Sequence, residues 1–112
     1  MHRSLGPGML ESTYEACLTF ELLEKGLAVE RQVPMPLIYK NRRMDVGYRL
    51  DLLVEKAVVV EVKAIERLQP VHSAQLLAYL HSSGCKVGLL LNFNVHQLIR
   101  GGLKRVVNGF PE

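Results

Sequence analysis

Asp51, Glu61 and Lys63 stand in a stretch, "DLLVEKAVVVEVK", that otherwise reads as apolar β-strand. Charge is costly to bury, so two carboxylates and an ammonium there call for a reason. The two apolar runs, 46–54 and 57–63, are almost contiguous, which requires a tight hairpin near Glu55–Lys56–Ala57. A turn centred on Lys56 sets Asp51 opposite Glu61, Leu53 opposite Val59 and Arg49 opposite Lys63. Alternation then predicts one face of Leu50, Leu52, Val54, Val58, Val60 and Val62, with the charged residues on the other. Directly opposed Cβ atoms lie about 4.5–5.5 Å apart. Two carboxylates at that range repel unless a cation sits between them. Magnesium suits such a pair, since it binds through one or two carboxylates, water and substrate phosphate oxygens. Lys63, two residues beyond Glu61 on the same face, can orient an attacking water and stabilise charge developing on a phosphodiester. The competing reading is a salt-bridge cluster on a solvated face.

These residues need a frame to hold them. Leu10, Tyr14, Cys17, Leu18, Leu22 and Leu23 recur at helical spacing, which predicts a first helix over about 8–25, stopped by Gly26. The segment 27–40 reads as a strand whose second half is an edge or an irregular extension, because of Pro34 and Pro36. "NRRMD" reads as a polar turn. Pro70 opens a second helix running to about Ser82, and Gly84 closes it. "KVGLLLNF" is a strand apolar on both faces, and "LKRVV" is a last strand candidate. A short helix or loop is expected around Val95–Ile99. The order is α-β-β-β-α-β with a further strand, an α/β arrangement.

At 112 residues the chain makes one domain with a modest core. An apolar fraction of 48% and a charged fraction of 22% fit a globular protein rather than a disordered one. No apolar run approaches the ~20 residues that span a bilayer. Cys17 and Cys85 lie far apart in apolar surroundings and read as buried free thiols, consistent with a reducing compartment and a cytoplasmic location. The absence of Cys-x-x-Cys and of paired histidines argues against zinc. A net charge of +3 permits a polyanionic partner.

The Asp51…Glu61-x-Lys63 pattern and the element order resemble the PD-(D/E)XK nuclease superfamily, with "RLD" where Pro-Asp often stands. "GMLESTY" at Gly8–Tyr14 resembles the signature of its GxxExxY family of small bacterial proteins. "YRLDLLVE", "VHSAQLLAYL" and "VGLLLNF" extend the likeness over nearly the whole chain. The resemblance implies a restriction-endonuclease-like core with a mixed central sheet. It also implies a magnesium-dependent nuclease acting on DNA, with manganese as a substitute. Asp51 and Glu61 would then be metal ligands and Lys63 the catalytic lysine. Glu11 matches the first-helix glutamate that often adds to the metal site. Gln75 and Tyr79 match the Gln-x3-Tyr helix motif of the RecB-like and lambda-exonuclease-like branches. Small members of the superfamily often act as dimers, so a homodimer is one implied assembly.

Each candidate has a plainer reading. Glu11 sits in a first helical turn, where a carboxylate suits the helix dipole anyway. Tyr14 and Tyr79 have spacings that also serve packing, Gln75 is a common surface residue, and His72 reads as solvated. Arg100, Lys104 and Arg105, with Arg42 and Arg43 in the expected turn, either hold phosphates or form a solvated basic face. Two functions follow: a nuclease, or a non-catalytic module that keeps the fold and binds nucleic acid or protein.

Overall fold

Glu11–Glu24 forms the first helix, α1, and the chain then runs through three strands, β1 (Val29–Tyr39), β2 (Arg42–Val54) and β3 (Val58–Lys63). A second helix, α2 (Pro70–Ser83), and two strands, β4 (Val87–Asn92) and β5 (Leu103–Val107), complete it. The computed structural model describes residues 10–94 and 102–108, apart from the side chains at 37–39 and 45–46. The segment expected around Val95–Ile99, and Arg100, lie outside the described residues.

Local chemistry sets the boundaries. Gly26, at φ +84°, lets Leu27 donate back to the Leu22 carbonyl at 3.1 Å, so α1 ends in a Schellman turn. Pro70 opens α2, and His72 accepts the Gln69 N–H on Nδ1 at 2.8 Å as half of a capping box at the exposed start of the helix. Lys40 and Asn41 both have positive φ, the signature of a two-residue hairpin between β1 and β2. The polar "NRRMD" is therefore mostly strand: Arg42 and Arg43 belong to β2, which starts four residues earlier than its hydrophobic pattern suggests. Glu55 and Lys56 turn the next hairpin, also with positive φ, and Ala57 donates to the Val54 carbonyl at 3.0 Å. Glu55 is tied to Ala28 through both its backbone and its carboxylate.

The sheet runs β1-β2-β3-β4-β5, with β3 and β4 parallel and the other neighbours antiparallel. This mixed α/β sheet flanked by helices is the expected arrangement. Pro34 and Pro36 sit in β1, an edge strand, where a missing N–H is tolerated. The hairpin register is also as expected, with Leu53 facing Val59 and Val54 facing Val58.

The faces are not as expected. Both sides of the sheet are apolar and both are covered. Tyr14, Leu18 and Leu22 of α1 pack on Leu52, Val54, Val60, Val62, Leu91 and Phe93, and Tyr14 stacks on Phe93 at 4.8 Å. Leu76 and Leu80 of α2 pack on Leu50, Val59 and Leu90. Leu50 and Leu52 thus lie on opposite faces, although simple alternation would join them. Cys17 and Cys85 are unpaired and half-buried rather than fully buried. Among the described residues no helix is long and apolar enough to cross a membrane.

Candidate active site

The face switch in β2 falls at Asp51. The β1–β2 register pairs Arg31 with Leu52 and Val33 with Leu50, which leaves Gln32 across from Asp51. Gln32 has φ +50°, a left-handed backbone rarely adopted by a residue with a Cβ. Its side chain donates to Glu15 Oε1 at 2.8 Å, and Arg31 Nε donates to Glu15 Oε2 at 3.1 Å. Glu15, from α1, is 6% exposed. Helix and edge strand are thereby locked together where both strands twist.

Asp51 and Glu61 replace part of the β2–β3 ladder with their side chains. Backbone pairing ends at Leu52 and Val60. Beyond it the Asp51 N–H donates to Glu61 Oε2 at 3.0 Å, and the Val62 N–H donates to Asp51 Oδ2 at 2.8 Å. Each carboxylate is anchored through one oxygen by the other's strand. The remaining oxygen of each accepts no hydrogen bond among the described residues.

Burial and mutual repulsion make this pair uncomfortable as two anions. Glu61 is 4% exposed, and desolvation followed by the Asp51 charge pushes its pKa up to about 8. Burial also raises Asp51, with Glu15 and Glu11 adding to the effect, while the Val62 N–H and Lys63 oppose it. Lys63 lowers both groups, so its ammonium lies within electrostatic reach of both, yet it makes no ion pair within 4 Å among the described residues.

The backbone around Lys63 is held by a residue that pattern reading passed over. Asn92, fully buried and paired with Lys63 in the parallel register, accepts the Ile65 N–H at 3.0 Å and donates to the Ile65 carbonyl at 2.9 Å. A buried amide closing the apolar run "VGLLL" was the available sequence signal. Glu15 had a signal too, one turn after Glu11. Gln32 had none, because nothing in its type foretells a left-handed strand residue.

The other candidates divide. Glu11 Oε2 accepts the Ala64 N–H at 3.4 Å, one residue beyond Lys63. Tyr79 stacks on Tyr48 at 4.2 Å and 6°, and burial, with the Glu61, Tyr48 and Asp51 charges, raises its pKa, so it lies within electrostatic reach of the carboxylates. Gln75, one turn earlier on α2, is exposed and makes no hydrogen bond among the described residues. Lys104 and Arg105 are exposed on edge strand β5, with β4 between them and β3, and point to opposite faces by alternation.

Two buried carboxylates, each with an oxygen to spare, are a hard-oxygen donor set that suits a divalent cation completed by water and phosphate oxygens. Among the described residues no three carboxylate, imidazole or thiol groups come together as a cluster that could hold a metal.

Neither a curated protein nor a solved structure matches the chain significantly. The family model that does match is described as the PD-(D/E)XK nuclease superfamily and covers residues 1–106. Coverage of almost the whole chain, with the mixed sheet and the carboxylate pair at the end of β3, leads to one assignment: the protein belongs to the PD-(D/E)XK nuclease superfamily.

Proposed function

We propose that this protein is a magnesium-dependent nuclease of the GxxExxY kind, hydrolysing phosphodiester bonds of DNA. Nucleases of the superfamily typically use divalent metals and act on nucleic acid. The observation that carries the reading is the Asp51–Glu61 pair, anchored by reciprocal N–H bonds and energetically strained as two anions. Asp51 and Glu61 would hold the ion, with manganese as a substitute. A bound divalent ion supplies charge neutralisation at the phosphate and activation of a water. Lys63, close to both carboxylates without being paired to either, stabilises negative charge as the phosphate is attacked. Tyr79 contacts the substrate beside the pair. Glu11 acts from the start of α1 through the Ala64 backbone. Gln75 completes the α2 side of the site. The chain works as one domain, in the cytoplasm, in keeping with its unpaired cysteines, and a homodimer is one assembly open to it.

One observation favours the alternative, a non-catalytic module that binds nucleic acid or protein: the absence of a three-group cluster among the described residues. Cleavage of plasmid DNA with and without magnesium separates the two. Metal-dependent cleavage that disappears in both Asp51→Ala and Glu61→Ala supports the nuclease. Unchanged cleavage in those folded variants refutes the site, and no cleavage by wild type with either metal favours the module.

A further inference from the structure

The β1–β2 hairpin turns at Lys40 and Asn41 and is exposed over 40–44. Its base is packed: Val33, Met35 and Tyr48 lie against the α2-side core. Beyond them, no described side chain between Pro36 and Gly47 belongs to either core. The described side chains at 40–44 are all exposed, so packing does not set the choice of residues there.

That sequence is basic. Residues 34–49 contain Lys40, Arg42, Arg43 and Arg49 against the single acid Asp45, a net +3. This equals the net charge of the whole chain, so the remaining residues sum to zero. The hairpin is thus one of two basic stretches, the other being the tail with Arg100, Lys104 and Arg105. Arg42, Arg43 and Arg49 are exposed and make no ion pair among the described residues.

The hairpin also carries a groove. An open recess of about 580 Å³ is lined by Met35, Arg43, Met44, Tyr48 and Arg49, together with Pro34, Pro36 and Gly47. Gly47 is required there, since a Cβ would collide with the Met35 carbonyl oxygen across the ladder. Thioethers and a tyrosine between two arginines offer apolar contact for a sugar or base and charge for a phosphate. The groove leads to the candidate site by two routes. Arg49 lies two residues before Asp51, about 7 Å along the strand, and Arg43 about 26 Å away, at ~3.3 Å per residue. Tyr48 stacks on Tyr79, which lies within electrostatic reach of the carboxylates.

We propose that the β1–β2 hairpin is a substrate arm, whose Arg42, Arg43 and Arg49 grip the phosphate backbone of the nucleic acid on one side of the bond to be cleaved. The proposal rests on the nuclease reading for its substrate. Of the basic residues the sequence offers for phosphates it selects Arg42 and Arg43, adds Arg49, and leaves out the tail residues Lys104 and Arg105. A second copy of the chain or an acidic protein would not need the line of cations to begin beside the carboxylates.

The test is binding without catalysis. A fluorescent 30-base-pair duplex, and one strand of it, are titrated in EDTA over a range of salt, with folding checked by circular dichroism. Arg43→Ala/Arg49→Ala should weaken duplex binding at least tenfold at low salt and reduce the slope of log K against log salt by about 2, since each lost phosphate contact removes ~0.9. Arg43→Lys/Arg49→Lys should keep most of the slope. Lys104→Ala/Arg105→Ala should change it by less than 1. An unchanged slope in the hairpin variant, a larger loss in the β5 variant, a change in oligomeric state with binding intact, or no salt-dependent binding by wild type each overturns the arm. Salt-dependent binding through the hairpin by a protein that never cleaves would instead refute the nuclease and keep the arm.

Discussion

Gln32 faces Asp51 across the β1–β2 ladder with a left-handed backbone, and this pair is where both strands exchange the faces they present. The exchange withdraws the Asp51 N–H from regular pairing and turns it to Glu61 Oε2. A left-handed residue with a Cβ costs roughly 1–2 kcal/mol. Here the bond from Gln32 to Glu15 helps offset it.

This kink should matter more for metal than for folding. Gln32→Val favours ordinary extended backbone, because a β-branched residue strongly resists positive φ. It should lower magnesium affinity about tenfold, measured by calorimetry, and cost about 1–2 kcal/mol of stability. Gln32→Gly keeps the left-handed geometry and loses only the amide, so its affinity should stay close to wild type. The opposite order would assign the positioning to the Glu15 bond rather than to the backbone.

The carboxylate pair should make the metal-free protein less stable as pH rises. Glu61 has a folded pKa of about 8 against an ordinary value of 4.5. Between those values the folded chain binds more protons than the unfolded chain, so its contribution is complete below about 4.5 and is lost as pH rises through about 8. Asp51 shifts in the same direction, with Glu15 adding repulsion from α1 and Lys63 opposing it from β3. Glu61→Gln resembles the protonated acid and can still accept the Asp51 N–H. In EDTA its melting temperature should exceed wild type by at least ~4 °C at pH 9, about 1 kcal/mol for a domain of this size, with a smaller gain at pH 5. A gain independent of pH would remove ionisation as the cause.

Much of this arrangement was legible in the sequence, for identifiable reasons. The 54–58 turn leaves few ways to pair β2 with β3, so the hairpin register followed from spacing alone. Gly26, Pro70 and Gly84 marked helix ends because their backbone constraints are local. The two-faced core was misread, since alternation assumes a regular strand and β2 is irregular at Asp51. The reach of β2 back to Arg42 was hidden because an arm outside the core needs no hydrophobic pattern. Within the site, Asp51, Glu61 and Lys63 stood out as charges in an apolar run. Asn92 had a fainter signal as an amide closing an apolar run, and Gln32 had none, because residue type does not reveal a left-handed strand backbone.

Lys63 should be more important to the chemical step than to metal binding. It acts on both carboxylates electrostatically without pairing with either, and Asn92 fixes the backbone that follows it. Lys63→Met keeps the aliphatic stem and removes the charge. The cleavage rate at saturating magnesium should fall about 100-fold or more, the range for losing a group that stabilises the transition state. Magnesium affinity should change less than tenfold, and in the weakening direction at neutral pH, because without the ammonium both carboxylates hold their protons more tightly. Equal losses of rate and affinity would make Lys63 an organiser of the pair instead.

Glu11 should contribute in a graded way. It lies in the first turn of α1, where the helix dipole favours a carboxylate, and its Oε2 accepts the Ala64 N–H at 3.4 Å. It lines a recess of about 400 Å³ with Leu10, Ser12 and Ala64, adjoining the segment that leaves Lys63. Its charge reaches Asp51, whose pKa it raises. A carboxylate at this distance can hold water of the ion's outer shell without binding the ion directly. Glu11→Gln keeps the shape and the acceptor for Ala64 but removes the charge. Folding should be unaffected within about 0.5 kcal/mol, and attraction to phosphate should not weaken, because a negative charge has been taken away. The cleavage rate should fall several-fold at low magnesium and recover at high magnesium or with manganese. The informative measurement is the rate over a full metal titration. A curve superimposable on wild type would leave Glu11 with the helix dipole alone. A loss that no concentration of metal restores would instead place it in contact with the reacting groups.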